Sequence, residues 1–344
     1  MKKIILSVWT VLIMMTALDA QIRYDVEPQG AGLQIHPEAE ILYSTCGNRL
    51  QAFDISNPEK PVQVSTVELK NFPQSLTLDA ENGILYVADS ATVTEIDVSK
   101  PEQLKVTDTV HKIPGSPVDV LIQKNKLWIA GRRAGLWEKK GNTPAVKSPL
   151  WQGKGPDWVR SVSPLKNGGL AVCGLDCVQL SVVREVGKSP EHILIANIPV
   201  GTPRRVREGV TDGTYYVANG FCGYGKIVLA DTVNKTINGK NLPWQQKEWT
   251  ENLNRFSTYG SYVYDVMELK PDVLLLAAGE IGIVTVINGK LSNDCPDLNW
   301  GNINGFIRGK GNLLYVADLN YGLLVVNIAD PRNIKVLERI KMIK

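Results

Sequence analysis

An all-β chain is predicted from three observations. A five-residue pattern returns seven times at near-constant spacing. The apolar runs are short and rich in Val, Ile and Tyr, which favours strands over helices. Gly (30) and Pro (19) supply turn residues between those runs, where they provide the required backbone conformations.

The repeated unit is an aliphatic-aromatic-aliphatic triplet, a small residue, then Asp, Asn, Gly or Cys. It reads Leu42-Tyr43-Ser44-Thr45-Cys46, Leu85-Tyr86-Val87-Ala88-Asp89 and Leu127-Trp128-Ile129-Ala130-Gly131. Weaker copies are Leu170-Ala171-Val172-Cys173-Gly174, Tyr215-Tyr216-Val217-Ala218-Asn219 and Leu275-Leu276-Ala277-Ala278-Gly279, and the last and best is Leu314-Tyr315-Val316-Ala317-Asp318. Their starts are 43, 42, 43, 45, 60 and 39 residues apart. Periods of roughly 40–50 residues built only of strand-like units indicate a β-propeller rather than a helical solenoid. Seven copies predict seven blades of four antiparallel strands.

In the second unit the strands are Gln74 to Leu78, Ile84 to Ala88, Thr92 to Val98 and Leu104 to Val110. Runs such as Leu323-Leu324-Val325-Val326 suit a blade covered on both faces, because a one-sided sheet would alternate. Ile22 to Val26 is placed to add to the last blade and close the ring, removing an exposed edge. The 60-residue interval holds an insertion, 234–260, with Trp244, Trp249, Phe256 and Tyr259. Within it, Trp244 to Phe256 is expected as a short helix over the rim.

Residues 1–20 read as an export signal. Lys2 and Lys3 precede an apolar run of 15 residues, Ile4 to Leu18, and Ala17-Leu18-Asp19-Ala20 offers a cleavage site. The run is short for a spanning helix, which needs roughly 17–25 apolar residues. The mature chain, 21–344, is expected as one propeller domain, exported to the periplasm, the cell surface or the medium. It is expected to be a monomer with no membrane insertion after cleavage. Cys46, Cys173, Cys177, Cys222 and Cys295 all survive the cut. In an oxidising compartment some should pair, with Cys177–Cys222 favoured as an inter-blade staple and Cys46–Cys295 as a second bridge. No metal is predicted, since Cys173-x3-Cys177 lacks nearby His and structural zinc takes about four ligands.

Asp54-Ile55-Ser56-Asn57-Pro58, Asp97-Val98-Ser99-Lys100-Pro101 and Asn327-Ile328-Ala329-Asp330-Pro331 follow three of the triplets. With Leu-Tyr-Val-Ala-Asp upstream, they make the chain resemble the LVIVD repeat family of secreted bacterial β-propellers. The resemblance implies the fold and export. Its motifs are structural, the Asp or Ser capping the turn that Pro stiffens, and it brings no catalytic residue.

Composition narrows the function further. Thirty-eight Lys+Arg against 35 Asp+Glu, with no basic block, argue against nucleic acid as a partner. The loops predicted at one mouth collect Arg132, Arg133, Trp151, Trp158, Arg160, Arg205, Tyr224 and Trp300, with Arg49, Lys154, Arg204, Arg207 and Tyr321. Guanidinium forks grip carboxylates or sulfates, and flat rings stack on sugars. The opposing reading is that Arg and Trp merely pack on each other.

No nucleophile-base set is evident among three His, no G-x-S-x-G elbow exists, and the Gly-rich stretch 219–225 lacks a P-loop Lys. Asp119, Asp157, Asp176, Asp265 and Asp318 near the mouth are candidates for acid-base work, though loop aspartates more often satisfy backbones. The expectation is a cofactor-free binding module for an anionic glycan, an envelope component or an exported protein. The alternatives are a glycan lyase or hydrolase using those carboxylates, and a scaffold for an exported complex.

Overall fold

The computed structural model describes residues 32–89, 91–110, 113–141, 143–151, 158–175, 177–186, 189–199, 202–220, 223–229, 246–251, 262–292, 302–320 and 322–341. Seven four-stranded antiparallel sheets form the blades of a propeller. They span 33–68, 73–110, 119–147, 159–199, 205–251, 265–291 and 303–340. The first strands of successive blades touch round a closed circuit, blade seven meeting blade one. In blade two the strands are Pro73–Asp79, Ile84–Asp89, Val93–Asp97 and Lys105–Val110, close to the sequence expectation.

The repeat is continuous in apolar character because each blade is buried on both faces. Side chains alternate along a strand. Leu85 and Val87 pack into the cluster shared with blade one, while Tyr86 and Ala88 pack into the one shared with blade three. Blade three repeats this: Leu127 and Ile129 face blade two, Trp128 and Ala130 face blade four. Seven such clusters occupy the seven interfaces.

The ring closes in the same way. Leu42, Phe53 and Ile55 of blade one pack with Leu313, Tyr315, Leu323 and Val325 of blade seven. Lys335–Ile340 supplies the outer strand of blade seven. Ile22 to Val26 lies outside the described residues.

The Asp/Asn-x-x-x-Pro turns do two things at once. Asp54 Oδ1 accepts from Ser56 N at 2.8 Å, Asp97 Oδ1 from Ser99 N at 2.9 Å, and Asn327 Oδ1 from Ala329 N at 2.8 Å. These are the expected side-chain caps. The proline carbonyl of each turn then accepts a hydroxyl from the preceding blade: Ser65 Oγ on Pro101 O, Thr285 Oγ1 on Pro331 O at 2.7 Å, and Tyr315 Oη on Pro58 O at 2.9 Å. The turn is therefore a latch between blades.

One expectation is corrected. Within the insertion, Gln246–Glu251 is not helical but forms the outer strand of blade five, with Gly225 opposite Glu251 and Ile227 opposite Trp249. The open edge of Tyr224–Leu229 offers backbone partners that outweigh a weak local helix preference. The rest of the insertion lies outside the described residues. The expected bridges Cys177–Cys222 and Cys46–Cys295 each have one partner outside the described residues. Cys173 is fully buried inside the interface of blades four and five, and packing rather than cross-linking explains its place. Cys222 and Cys295 lie outside the described residues.

Candidate functional site

The mouth cluster is assembled by two loop sets that meet between blades three and four. Gly131 to Gly135 joins the second and third strands of blade three in a tight turn, Gly131 N donating to Gly135 O at 2.8 Å. Val159 N, starting the inner strand of blade four, donates to Arg132 O at 2.8 Å. This bridge recurs at Gly220 with Val263 and at Gly279 with Ile303. The bridging residue has positive φ each time: 57° at Gly220, 57° at Gly279 and 46° at Arg132. Blade three thus places an arginine in a conformation that the equivalent bridges of blades five and six give to glycine.

That conformation brings Arg132 beside Trp158. The guanidinium carbons of Arg132, Arg133 and Arg160 stand 5.7, 4.9 and 5.9 Å from the Trp158 ring centre. Arg160 is buried, Arg132 and Trp158 are half-buried, and Arg133 is exposed. One indole ring and three cations share a small patch whose exposed member is Arg133.

Not every expected residue joins it. Trp151 is a core residue of the three-four interface, lying over Gly174 so closely that a Cβ there would stand 2.4 Å from its ring. Tyr224 is buried in the five-six cluster. Arg204 is buried, donates to Tyr262 Oη and stacks over that ring at 4.5 Å. Arg205 and Arg207 stand in the central channel instead. Trp300, Lys154, Tyr321, Asp157 and Asp176 lie outside the described residues.

The channel is a cavity of about 650 Å³ lined by the inner strands of six blades. The inner strands around it obey a register rule. Opposite the small residue of the repeat stand Ser75 (Ala88), Asp119 (Ala130), Ser161 (Cys173), Arg205 (Ala218) and Gly305 (Ala317), while in blade six Asp265 stands opposite Ala277, the alanine just before that small residue. Directly paired residues share a face, so a short side chain on the second strand makes room for a polar one on the first.

Both carboxylates are heavily bonded. Asp119 accepts Ser75 Oγ and Val120 N on Oδ1, the latter at 3.0 Å, and Val162 N on Oδ2 at 3.0 Å. Asp265 takes a two-pronged Arg207 contact, Nε to Oδ1 at 2.8 Å and Nη2 to Oδ2 at 2.6 Å. Burial pushes the Asp119 carboxyl above its ordinary range despite Arg205 nearby. For Asp265, burial acts upward too, but the charge and hydrogen bonds of Arg207, with Arg205, hold it below that range. Burial also pushes the Cys173 thiol up to about 12, so it is an inert thiol rather than a nucleophile. Asp318 serves its loop, accepting Asn302 N at 3.2 Å and Asn320 N at 2.9 Å.

Sequence comparison matches residues 307–340 to the LVIVD repeat. No curated protein matches the chain. Among solved structures, the chain is similar in fold to the Cps50 (Swd1) β-propeller domain of Myceliophteria thermophila, with TM-score 0.64, 10% identity, and 87% of this chain and 96% of that one covered. YCF48 from Cyanidioschyzon merolae gives 0.60 at 11% identity, covering 88% and 95%. The periplasmic gluconolactonase PpgL of Pseudomonas aeruginosa gives 0.63 at 14% identity, covering 91% and 95%. At such identities the likeness is one of fold. The chain is a seven-bladed β-propeller whose last blade carries an LVIVD repeat.

Proposed function

We propose that the protein is an exported binding module for an anionic ligand, of the acidic-glycan kind, held at the mouth between blades three and four. The convergence of Arg132, Arg133 and Arg160 around the Trp158 ring carries this reading. A ring gives a sugar a stacking surface, and guanidinium forks match a carboxylate or sulfate. The export half rests on residues 1–20. A binding role fits the carboxylates better than acid-base work does, because Asp119 and Asp265 both spend their oxygens on protein donors.

A glycan array comparing uronate-bearing and sulfated chains with neutral ones tests the reading. Preference for acidic glycans should fall about tenfold or more in Arg133→Ala, an exposed position whose loss spares the core. Equal binding of neutral and acidic glycans, or unchanged affinity in Arg133→Ala and Trp158→Ala together, would sink it. Release of shortened products from a bound glycan would replace it with the enzymatic alternative.

A further inference from the structure

The central channel is a separate place from the Trp158 patch, and its two arginines are used very differently. Arg207 is already engaged: besides its paired bonds to Asp265, its Nη2 donates to Phe306 O at 3.0 Å. Arg205 sits one step nearer the mouth on the same strand. Its nearest described carboxylate oxygen is Asp265 Oδ2, 3.8 Å from Nη1, beyond hydrogen-bond distance. Its side chain keeps 36% of its surface exposed, and it lines the cavity. Asp119, whose charge also acts on Arg205, has both oxygens already taken by Ser75, Val120 and Val162. Arg205 thus lines the cavity near two carboxylates whose oxygens are committed to other donors.

A guanidinium in that condition suits a planar, two-oxygen acceptor. The rest of the wall says what the acceptor is attached to. Thr77, Ser163 and Gln34 line the same cavity. Thr77 Oγ1 accepts Ile122 N at 3.1 Å, which leaves its own proton to donate inward. The inner strands also turn their unpaired edge toward the lumen, adding backbone groups to the wall. At about 650 Å³ the cavity is within the ordinary range for small-molecule sites. The nearby charges, Asp119 and Asp265 against Arg205 and Arg207, cancel, so one added negative charge is tolerated better than several.

We propose that the channel is a second binding site, in which Arg205 clamps the carboxylate of a small hydroxylated monocarboxylic acid and the channel hydroxyls and amide bind its hydroxyl groups. The site stands independently of the mouth reading, since it shares no residue with the Trp158 patch.

Titration calorimetry on the whole protein tests it with matched probes: D-galacturonate and D-glycerate as acids, D-galactose and glycerol as their uncharged counterparts. The acids should bind and their counterparts should bind at least about tenfold more weakly. Arg205→Ala should lose about tenfold or more for the acids, and so should Arg205→Lys, which keeps the charge and removes the fork. Arg205→Lys also answers the question if Arg205→Ala fails to fold. Lys100→Ala, exposed in the outer turn of blade two, should leave acid binding unchanged. Three outcomes overturn the proposal: neither acid binds below ~10 mM, acids and counterparts bind alike, or affinity falls in Arg133→Ala and not in Arg205→Lys. Glycan binding by the Trp158 patch is measured separately, by the array.

Discussion

Arg132 holds a φ of 46° at a position where blades five and six place glycine. A left-handed conformation costs a side-chain-bearing residue about 1–2 kcal/mol, and such strain persists where it serves a site. Arg132→Gly relieves the strain and loosens the unfolded chain, so stability should change by about 0–1 kcal/mol in the favourable direction. Binding of acidic glycans should fall in the same variant. Denaturant unfolding and array binding measured side by side check the pair, and a variant that loses both would show Arg132 to be merely structural.

The buried carboxylates set the acid response. Asp265 has a lowered folded value, so its contribution is present above the unfolded value near 3.9 and fades as pH falls through the lower folded one. Asp119, raised by burial, runs the other way: its contribution is complete below the unfolded value and is lost as pH rises through the folded one. Asp265→Asn leaves Arg207 without its charge partner. It should cost about 2–4 kcal/mol at neutral pH, less than a fully buried pair because Arg207 is partly exposed. The gap from wild type should narrow below pH ~4, as the wild-type carboxylate protonates. Unfolding curves from acid to neutral pH measure it. The candidate residues Arg132, Arg133, Trp158 and Arg160 were legible as a composition bias in predicted loops. Their meeting on one ring was not, because it depends on the left-handed turn at Arg132.

At the scale of elements, Gly174 shows how a strand end shapes the site. It ends the second strand of blade four, and Trp151 fills the space a side chain would occupy. Gly174→Ala forces the indole aside, with the Trp158 carbonyl 3.2 Å from the new methyl. Overpacking of this kind costs typically about 1–3 kcal/mol. Thermal unfolding should register the loss, and glycan binding should weaken with it because the chain entering Trp158 is displaced. Trp151 was read from sequence as a ligand contact because a loop tryptophan looks the same whether it faces solvent or a neighbour. The strands were legible because burial on both faces writes a continuous apolar run. Gln246–Glu251 was not, since its partner edge lies across a long insertion and its own pattern is short.

For the molecule as a whole, the count of seven was legible from the period, and the closure was not. Nothing local in Tyr315 says that its hydroxyl reaches Pro58, 257 positions away in sequence. Tyr315 is fully buried between blades seven and one. Tyr315→Phe removes the hydroxyl bond alone and should cost about 1 kcal/mol. Tyr315→Ala also opens a cavity and should cost about 3–5 kcal/mol. Hydrogen exchange should then show blades one and seven losing protection before blade four. Uniform loss round the ring would mean that closure is not a local weak point.

The proline latch gives the ring a property that a row of repeats lacks. A linear stack must devote its first and last units to capping, with a polar outer face where a neighbour is missing. Here the contact from Tyr315 to Pro58 treats blade one as the successor of blade seven, just as Ser65 to Pro101 treats blade two as the successor of blade one. Every blade is thus an interior blade with a periodic boundary, and no unit has to give up its binding loops to become an end.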